Sequence, residues 1–315
     1  MPLSRAGIIG VAAACAVLLG GGLTAASLAG GGSGSSARQA DVKNVTVSGA
    51  GGGAGNAAAA MPQVAAGPRM AHMPKPAASA PAAARSSSPA ASAPAGPGSA
   101  TCTHPSFVTS DQYGMWNQDP YFVYNNMWGI SGYSVSQTLS ACSYSNWYVT
   151  ATMNNDNGDG HVKTYPNSHR DWDSEPAISS LQSVTSTFAE TSPGTGIYED
   201  AYDIWLNGIA DSGSTEVMIW TENHGQVPSG NQVATVTLDG RSWAVWKDDS
   251  YIAFVASSNF TSGSMNLLAF FQWIMGQGWI PGNSTLGQVD YGVELVSTNG
   301  VPATFSFSNF SVNAS

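Results

Sequence analysis

The chain has 315 residues, with 10 basic against 20 acidic side chains and a formal net charge of −10. An acidic balance of this kind repels phosphate backbones and sets the protein against a nucleic-acid partner. Nor can the whole length be one folded unit: every Trp, Tyr and Phe lies at or beyond Phe107, and a Gly-, Ala-, Ser- and Pro-rich stretch without aromatics cannot bury enough apolar surface to offset its ordering entropy.

At the N-terminus, Arg5 precedes an apolar run from Ala6 to Leu19, followed by small residues ending in Ser27-Leu28-Ala29. A short basic region, an apolar stretch and a small-x-small site predict a secretory signal over residues 1–29. The alternative is an uncleaved anchor tethering the protein to a membrane. Residues 30–100, Gly/Ser-rich and then Ala/Pro/Ser-rich with Pro76, Pro81, Pro89, Pro94 and Pro97, read as a disordered linker that spaces the following domain from the cell surface. Residues 101–315 are long enough for one sizeable core. With Cys15 inside the apolar run, Cys102 and Cys142 remain as an even pair in an exported domain, and a disulfide is expected between them. A metal site is disfavoured because neither a CxxC nor an HxxxH pattern accompanies them.

Through the domain, alternating or β-branched stretches recur between Asn-Gly, Asp-Gly and Pro-Ser-Gly turns. They predict strands over Tyr121–Asn125, Ser145–Met153, Ile178–Ala189, Tyr198–Leu206, Ser214–Glu222, Val233–Leu238, Arg241–Trp246, Tyr251–Ala256, Gln288–Ser297 and Ala303–Val312. Regular short strands point to a sandwich or jelly roll. Met265, Leu268, Ala269, Gln272 and Trp273 follow helical spacing from an N-terminal Ser264, with Gly276 and Gly278 closing the segment, so one helix is expected.

Most acids, among them Asp159, Asp239, Asp248 and Asp249, sit in turn-like contexts. The run Asp171, Asp173, Glu175 reads as a solvated loop, with a calcium loop as the alternative. Two acids interrupt strands. In Thr215–Trp220, period two places Val217 and Ile219 on one face and Glu216, Met218 and Trp220 on the other, a carboxylate beside a thioether and an indole on which a sugar could stack. In Tyr291–Val296, Glu294 stands opposite to Val293 and Leu295, and Gly292 beside it leaves room for a ligand. Two carboxyl groups flanking one bond are the usual requirement of glycoside hydrolysis, but strand parity alone leaves each Glu open to being an ordinary solvent-facing residue.

The segments Asn125-Asn126-Met127-Trp128-Gly129, Lys163-Thr164-Tyr165-Pro166-Asn167, Tyr202-Asp203-Ile204-Trp205, Glu216-Val217-Met218-Ile219-Trp220 and Gly292-Val293-Glu294 together resemble glycoside hydrolase family 12, the compact endoglucanases and xyloglucan hydrolases. The resemblance covers most of residues 102–312, in the family's order. It implies an all-β jelly-roll sandwich of two curved antiparallel sheets with one helix, and a substrate cleft along a concave face. It also implies retaining chemistry, with Glu216 as nucleophile, Glu294 as general acid/base and Asp203 as an auxiliary acid beside the nucleophile. Asn126 and Trp128 match the glycone side of the cleft, Trp128 as its aromatic platform, and Met218 lines the cleft with Trp220 on the same strand face. Leu295 and Val296 depart from the Pro or Ile and aromatic that often follow the acid/base in the family.

The function expected is a secreted endo-β-1,4-glucanase acting as a monomer, without cofactor or metal, on cellulose-like or mixed-linkage β-glucan. The alternatives are a xyloglucan-specific enzyme of the same class and a non-catalytic glycan-binding protein, which would need the aromatic platform but not the acids.

Overall fold

A computed structural model describes residues 101–155 and 158–315; the segments read as a signal (1–29) and as a linker (30–100) lie outside the described residues. In chain order the strands are β1 (Phe107–Thr109), β2 (Met115–Gln118), β3 (Tyr121–Tyr124), β4 (Ser136–Ser143), β5 (Asn146–Thr152), β6 (Asn167–Asp171), β7 (Val184–Thr191), β8 (Ile197–Leu206), β9 (Thr215–His224), β10 (Asn231–Leu238), β11 (Arg241–Asp248), β12 (Tyr251–Ala256), β13 (Ser262–Asn266), β14 (Leu286–Ser297) and β15 (Ala303–Ala314), with one helix, α1 (Leu267–Gly276), before β14. They form two sheets, a six-stranded one ordered β1-β4-β5-β15-β7-β13 and a nine-stranded one ordered β10-β11-β12-β9-β8-β14-β6-β3-β2. This is the jelly-roll sandwich expected. Pairing between named strands is antiparallel except between β9 and β12, which run parallel. Parallel neighbours need a long crossover, and here the β10–β11 hairpin supplies it.

The core lies between the sheets, where period-two alternation turns one face of each strand inward. Trp147 stacks on Phe307 within the six-stranded sheet, at 4.1 Å between ring centroids. Phe188 of that sheet meets Tyr291 of the other at 4.8 Å. Helix α1 buries Leu267, Leu268, Phe270, Phe271 and Ile274, with Phe270 edge-on to Trp243 and Phe254. The disulfide joins Cys102, ahead of β1, to Cys142 in β4.

Three local expectations are corrected. The helix starts at Leu267, not after Ser264, because Ser262–Asn266 pairs with β7 as an edge strand and Met265 turns inward by strand alternation. Gly278, with φ +69°, follows the helix end, while Gly276 is its last residue. The strand expected over Ile178–Ala189 is broken: Ile178–Ser180 form a 3-10 turn, with Leu181 N–H donating to the Ile178 carbonyl, and β7 begins only at Val184. Strands β4, β6 and β13, rich in Ser, Asn and Gly, carry little local β-propensity and owe their conformation to pairing with neighbours.

Candidate active site

The face of the nine-stranded sheet turned away from the core is read across strands β12, β9, β8, β14 and β6. One row places Tyr251, Glu216, Trp205, Gln288 and Asp171 side by side; the next places Ala253, Met218, Asp203, Asp290 and His169. A third row runs Val255, Trp220, Ala201, Gly292 and Asn167, and beyond it Glu199 of β8 stands directly opposite Glu294 of β14. The expected acids Glu216, Asp203 and Glu294 therefore share one face of the sheet.

Along β8 the partners of Glu216 and Glu294, Trp205 and Glu199, are six residues apart. On a flat sheet that offset would be about 20 Å. Asp203 lies between those two positions on β8, and the charge of each glutamate adds to the rise in its pKa.

The floor between the acids is apolar. Ala201, Met218, Trp220 and Ala253 pack together, with Trp246, Tyr251 and Val255 against them. The sulfur of Met218 is 3.5 Å from both the Trp220 indole nitrogen and the Tyr251 hydroxyl. Met218 and Trp220 are almost fully buried, so they build the floor from beneath. Tyr165 reaches over β8 and donates its hydroxyl to the Ala201 carbonyl at 3.1 Å. Its own N–H donates to the Asn126 carbonyl at 2.8 Å, which ties the loop carrying Asn126 and Trp128 to this face. Asn126 sits at φ +34°, and neither end of its buried amide has a hydrogen-bond partner. The indole nitrogen of the half-buried Trp128 is likewise unpartnered.

Burial in a low-dielectric setting raises carboxyl pKa values, and neighbouring negative charge raises them further. Asp203 is held well above the ordinary range by burial and by the charges of Glu216, Asp290 and Glu294, with the Trp205 indole opposing weakly. Asp290 is raised by burial and by Asp171. Burial raises Glu294 as well, and Glu199 is raised by burial and by the charge of Glu294. The two carboxyls are therefore coupled in titration. His169, buried, is held below its usual value by burial, with Asp171 opposing, and its Nδ1 donates to Asn167 Oδ1 at 2.8 Å.

Sequence reasoning missed Glu199, Asp290, Tyr165 and Tyr251. For two of them the signal was available: Glu199 has the strand parity of Asp203, and Asp290 that of Glu294. One reading is corrected. Gly292 does not leave room for a ligand, since a Cβ there would stand 2.1 Å from the Pro166 carbonyl oxygen and 2.8 Å from Asn167 Cα. The glycine instead lets β6 approach β14. Leu295 donates its N–H to the Thr164 carbonyl at 2.9 Å and packs in the core, a bond that a proline at this position could not make.

Residues 119–315 match the profile of Glycosyl hydrolase family 12. Endoglucanase A of Aspergillus kawachii is 31% identical over 225 residues, covering 64% of this chain and 90% of that protein. Among solved structures, endoglucanase cel12A from Rhodothermus marinus superimposes with a TM-score of 0.58 at 28% identity, covering 67% of this chain and 99% of the other. The xyloglucanase domain of NopAA from Sinorhizobium fredii, solved with cellobiose, gives a TM-score of 0.57 at 25% identity, covering 67% of this chain and all of that one. The chain belongs to glycosyl hydrolase family 12.

Proposed function

We propose that the protein is a retaining endo-β-1,4-glucanase in which Glu216 is the nucleophile, Glu294 the general acid/base and Asp203 the auxiliary acid. Membership of the family and its endoglucanase relatives carry the activity class. The observation that supports the residue roles is their placement: Glu216, Asp203 and Glu294 share one face of the sheet, around an apolar floor.

The chemistry then follows from the environments. Glu216, partly exposed, attacks the anomeric carbon as the glycosidic bond breaks, while Glu294 passes its proton to the departing oxygen. Water next hydrolyses the glycosyl-enzyme with Glu294 as base. Burial raises the Glu294 carboxyl, which favours the protonated form that a general acid needs. Asp203, whose carboxyl burial and the neighbouring charges hold well above the ordinary range, can in its protonated form donate to the nucleophile's carboxylate. Trp128 supplies the stacking surface on the glycone side, the amide of Asn126 meets sugar hydroxyls, and Met218 and Trp220 form the floor. The substrate is a β-glucan of cellulose-like or mixed-linkage type, met outside the cell, a setting in which the Cys102–Cys142 disulfide persists.

Side-by-side assay on carboxymethylcellulose, mixed-linkage glucan and xyloglucan, with proton NMR of the first product, tests this. Initial release of the β-anomer, with the unbranched glucans turned over faster than xyloglucan, is expected. Initial α-anomer would rule out the retaining assignment, and xyloglucan as best substrate would overturn the substrate class.

A further inference from the structure

A second cluster of acids lies on the core side of the same strands. Glu190 of β7, Asp200 of β8 and Glu222 of β9 each place a carboxylate oxygen within 4.8 Å of the other two. Glu190 is 5% exposed and Asp200 fully buried, while Glu222 is partly open to solvent.

The backbone explains how they meet. By period two Glu222 would follow Glu216, Met218 and Trp220 onto the substrate face. The β8–β9 register slips between Asp200, opposite Glu222, and Ala201, opposite Trp220, which leaves Thr221 as an extra residue in β9. Thr221 holds the bulge by donating its hydroxyl to the Asp200 carbonyl at 3.1 Å. The slip brings Glu222 beside Asp200, on the inner face, and Glu190 reaches them from the opposite sheet.

Neither carboxylate oxygen of Glu190 has a hydrogen-bond partner, and Asp200 Oδ1 has none either. Asp200 Oδ2 accepts from Ser192 Oγ at 2.8 Å and Glu222 Oε1 accepts from the Tyr198 hydroxyl at 2.7 Å. The four basic side chains of the described residues are engaged elsewhere: Lys163 with Asp159, Arg170 on Trp172, Arg241 on Phe260 and Lys247 with the Asp249 carbonyl. His224 stacks flat on Tyr198, and its Nδ1 is hydrogen-bonded to the Gly196 carbonyl, outside the cluster. A buried carboxylate with no donor is costly unless it is protonated or meets a cation.

We propose that Glu190, Asp200 and Glu222 form a binding site for a divalent cation of the calcium class. The donors are all carboxylate oxygens, without thiolate or imidazole, which suits a hard cation over zinc or copper. A spread of up to 4.8 Å matches oxygens on opposite sides of an ion bonded at about 2.3–2.6 Å. The solvent-open side of Glu222 is the entry, and water can complete the coordination there. A bound ion ties β7 of one sheet to β8 and β9 of the other, beneath the strands that carry Glu199, Asp203 and Glu216. Asp200 and Glu199 are consecutive and point to opposite faces, so the ion braces the backbone next to the Glu199–Glu294 pair.

The test uses the full chain at neutral pH after EDTA treatment and dialysis. Terbium is titrated with luminescence excited through Tyr198, then displaced by calcium, and thermal unfolding is followed with calcium up to about 10 mM, the range of weak extracellular sites. Sensitised emission that calcium displaces, and a rise in Tm with calcium, are expected in the wild type. Both should be lost, or weakened tenfold or more, in Glu190→Gln and Asp200→Asn, whose folding is checked by near-UV circular dichroism and a cooperative unfolding transition. Wild-type protein with neither emission nor a Tm response would overturn the proposal. So would a calcium response unchanged in Glu190→Gln, or a Glu190→Gln variant stabilised over a wild type that ignores calcium, the behaviour of a proton-sharing cluster. Because binding is read directly, the outcome does not depend on the glucanase assignment.

Discussion

Glu199 and Glu294 face each other directly across β8 and β14, carboxyl beside carboxyl, on the face that also carries Asp203. Replacing Glu294 by Gln removes a like charge from beside Glu199, whose carboxyl that charge holds up. The deprotonation of Glu199 should then fall by on the order of one pH unit. Carboxyl-labelled NMR titration of Glu199 in wild type and Glu294→Gln measures this. An unmoved Glu199 would mean that the two carboxyls do not interact.

The proposed catalytic pair should separate cleanly from stability. Glu294→Gln is expected to lower kcat on soluble β-glucan by about 10²–10⁴-fold, and Glu216→Gln to bring activity to background. Unfolding midpoints should stay near wild type, since neither substitution opens a cavity. Near-full activity in Glu216→Gln would remove it as nucleophile.

Gly292 is a test of close strand approach. Gly292→Ala drives a Cβ against the Pro166 carbonyl, 2.1 Å away, and should cost about 1–3 kcal/mol, as overpacking does. Denaturant unfolding gives the loss. Activity should fall in parallel, because β14 must shift and carries Glu294 with it.

The disulfide spans 40 residues of sequence. Replacing Cys102 and Cys142 together by Ala should destabilise the domain by about 3–4 kcal/mol, through the unfolded chain's regained freedom. Urea unfolding of the double variant checks this, with the active face expected to keep its specific activity below the transition.

Stability should depend on pH in an unusual direction. Burial pushes Glu190 from the ordinary carboxyl value up to about 10, with the charges of Asp200 and Glu222 adding to it. A carboxyl raised on folding contributes stability that is complete below its unfolded pKa and lost as pH climbs toward the folded one. In EDTA, Tm should therefore decline between about pH 4.5 and pH 9. Glu190→Gln should flatten that decline over the same window. A Tm that rises across the range in EDTA would contradict the assignment.

Period two and the spacing of turn residues were enough to read an all-β domain and the face that Glu216, Met218 and Trp220 share, because alternation is a property of each strand alone. The quoted segments added the roles proposed for Glu216, Glu294 and Asp203. Glu199 was legible by the same parity as Asp203. Glu222 was not, since it depends on the Thr221 bulge, which exists only once β9 has paired with β8. Helix α1 was placed two residues early because Met265 fits both periodicities until β7 claims its backbone. Gly292 looked like space for a ligand and proved to be space for a neighbouring strand. Local pattern thus determined which residues could face outward together. Pairing and bulges, which are energies between distant segments, decided which of them come together: Glu216, Asp203 and Glu294 on one face, and Glu190 with Asp200 and Glu222 on the other side of the same strands.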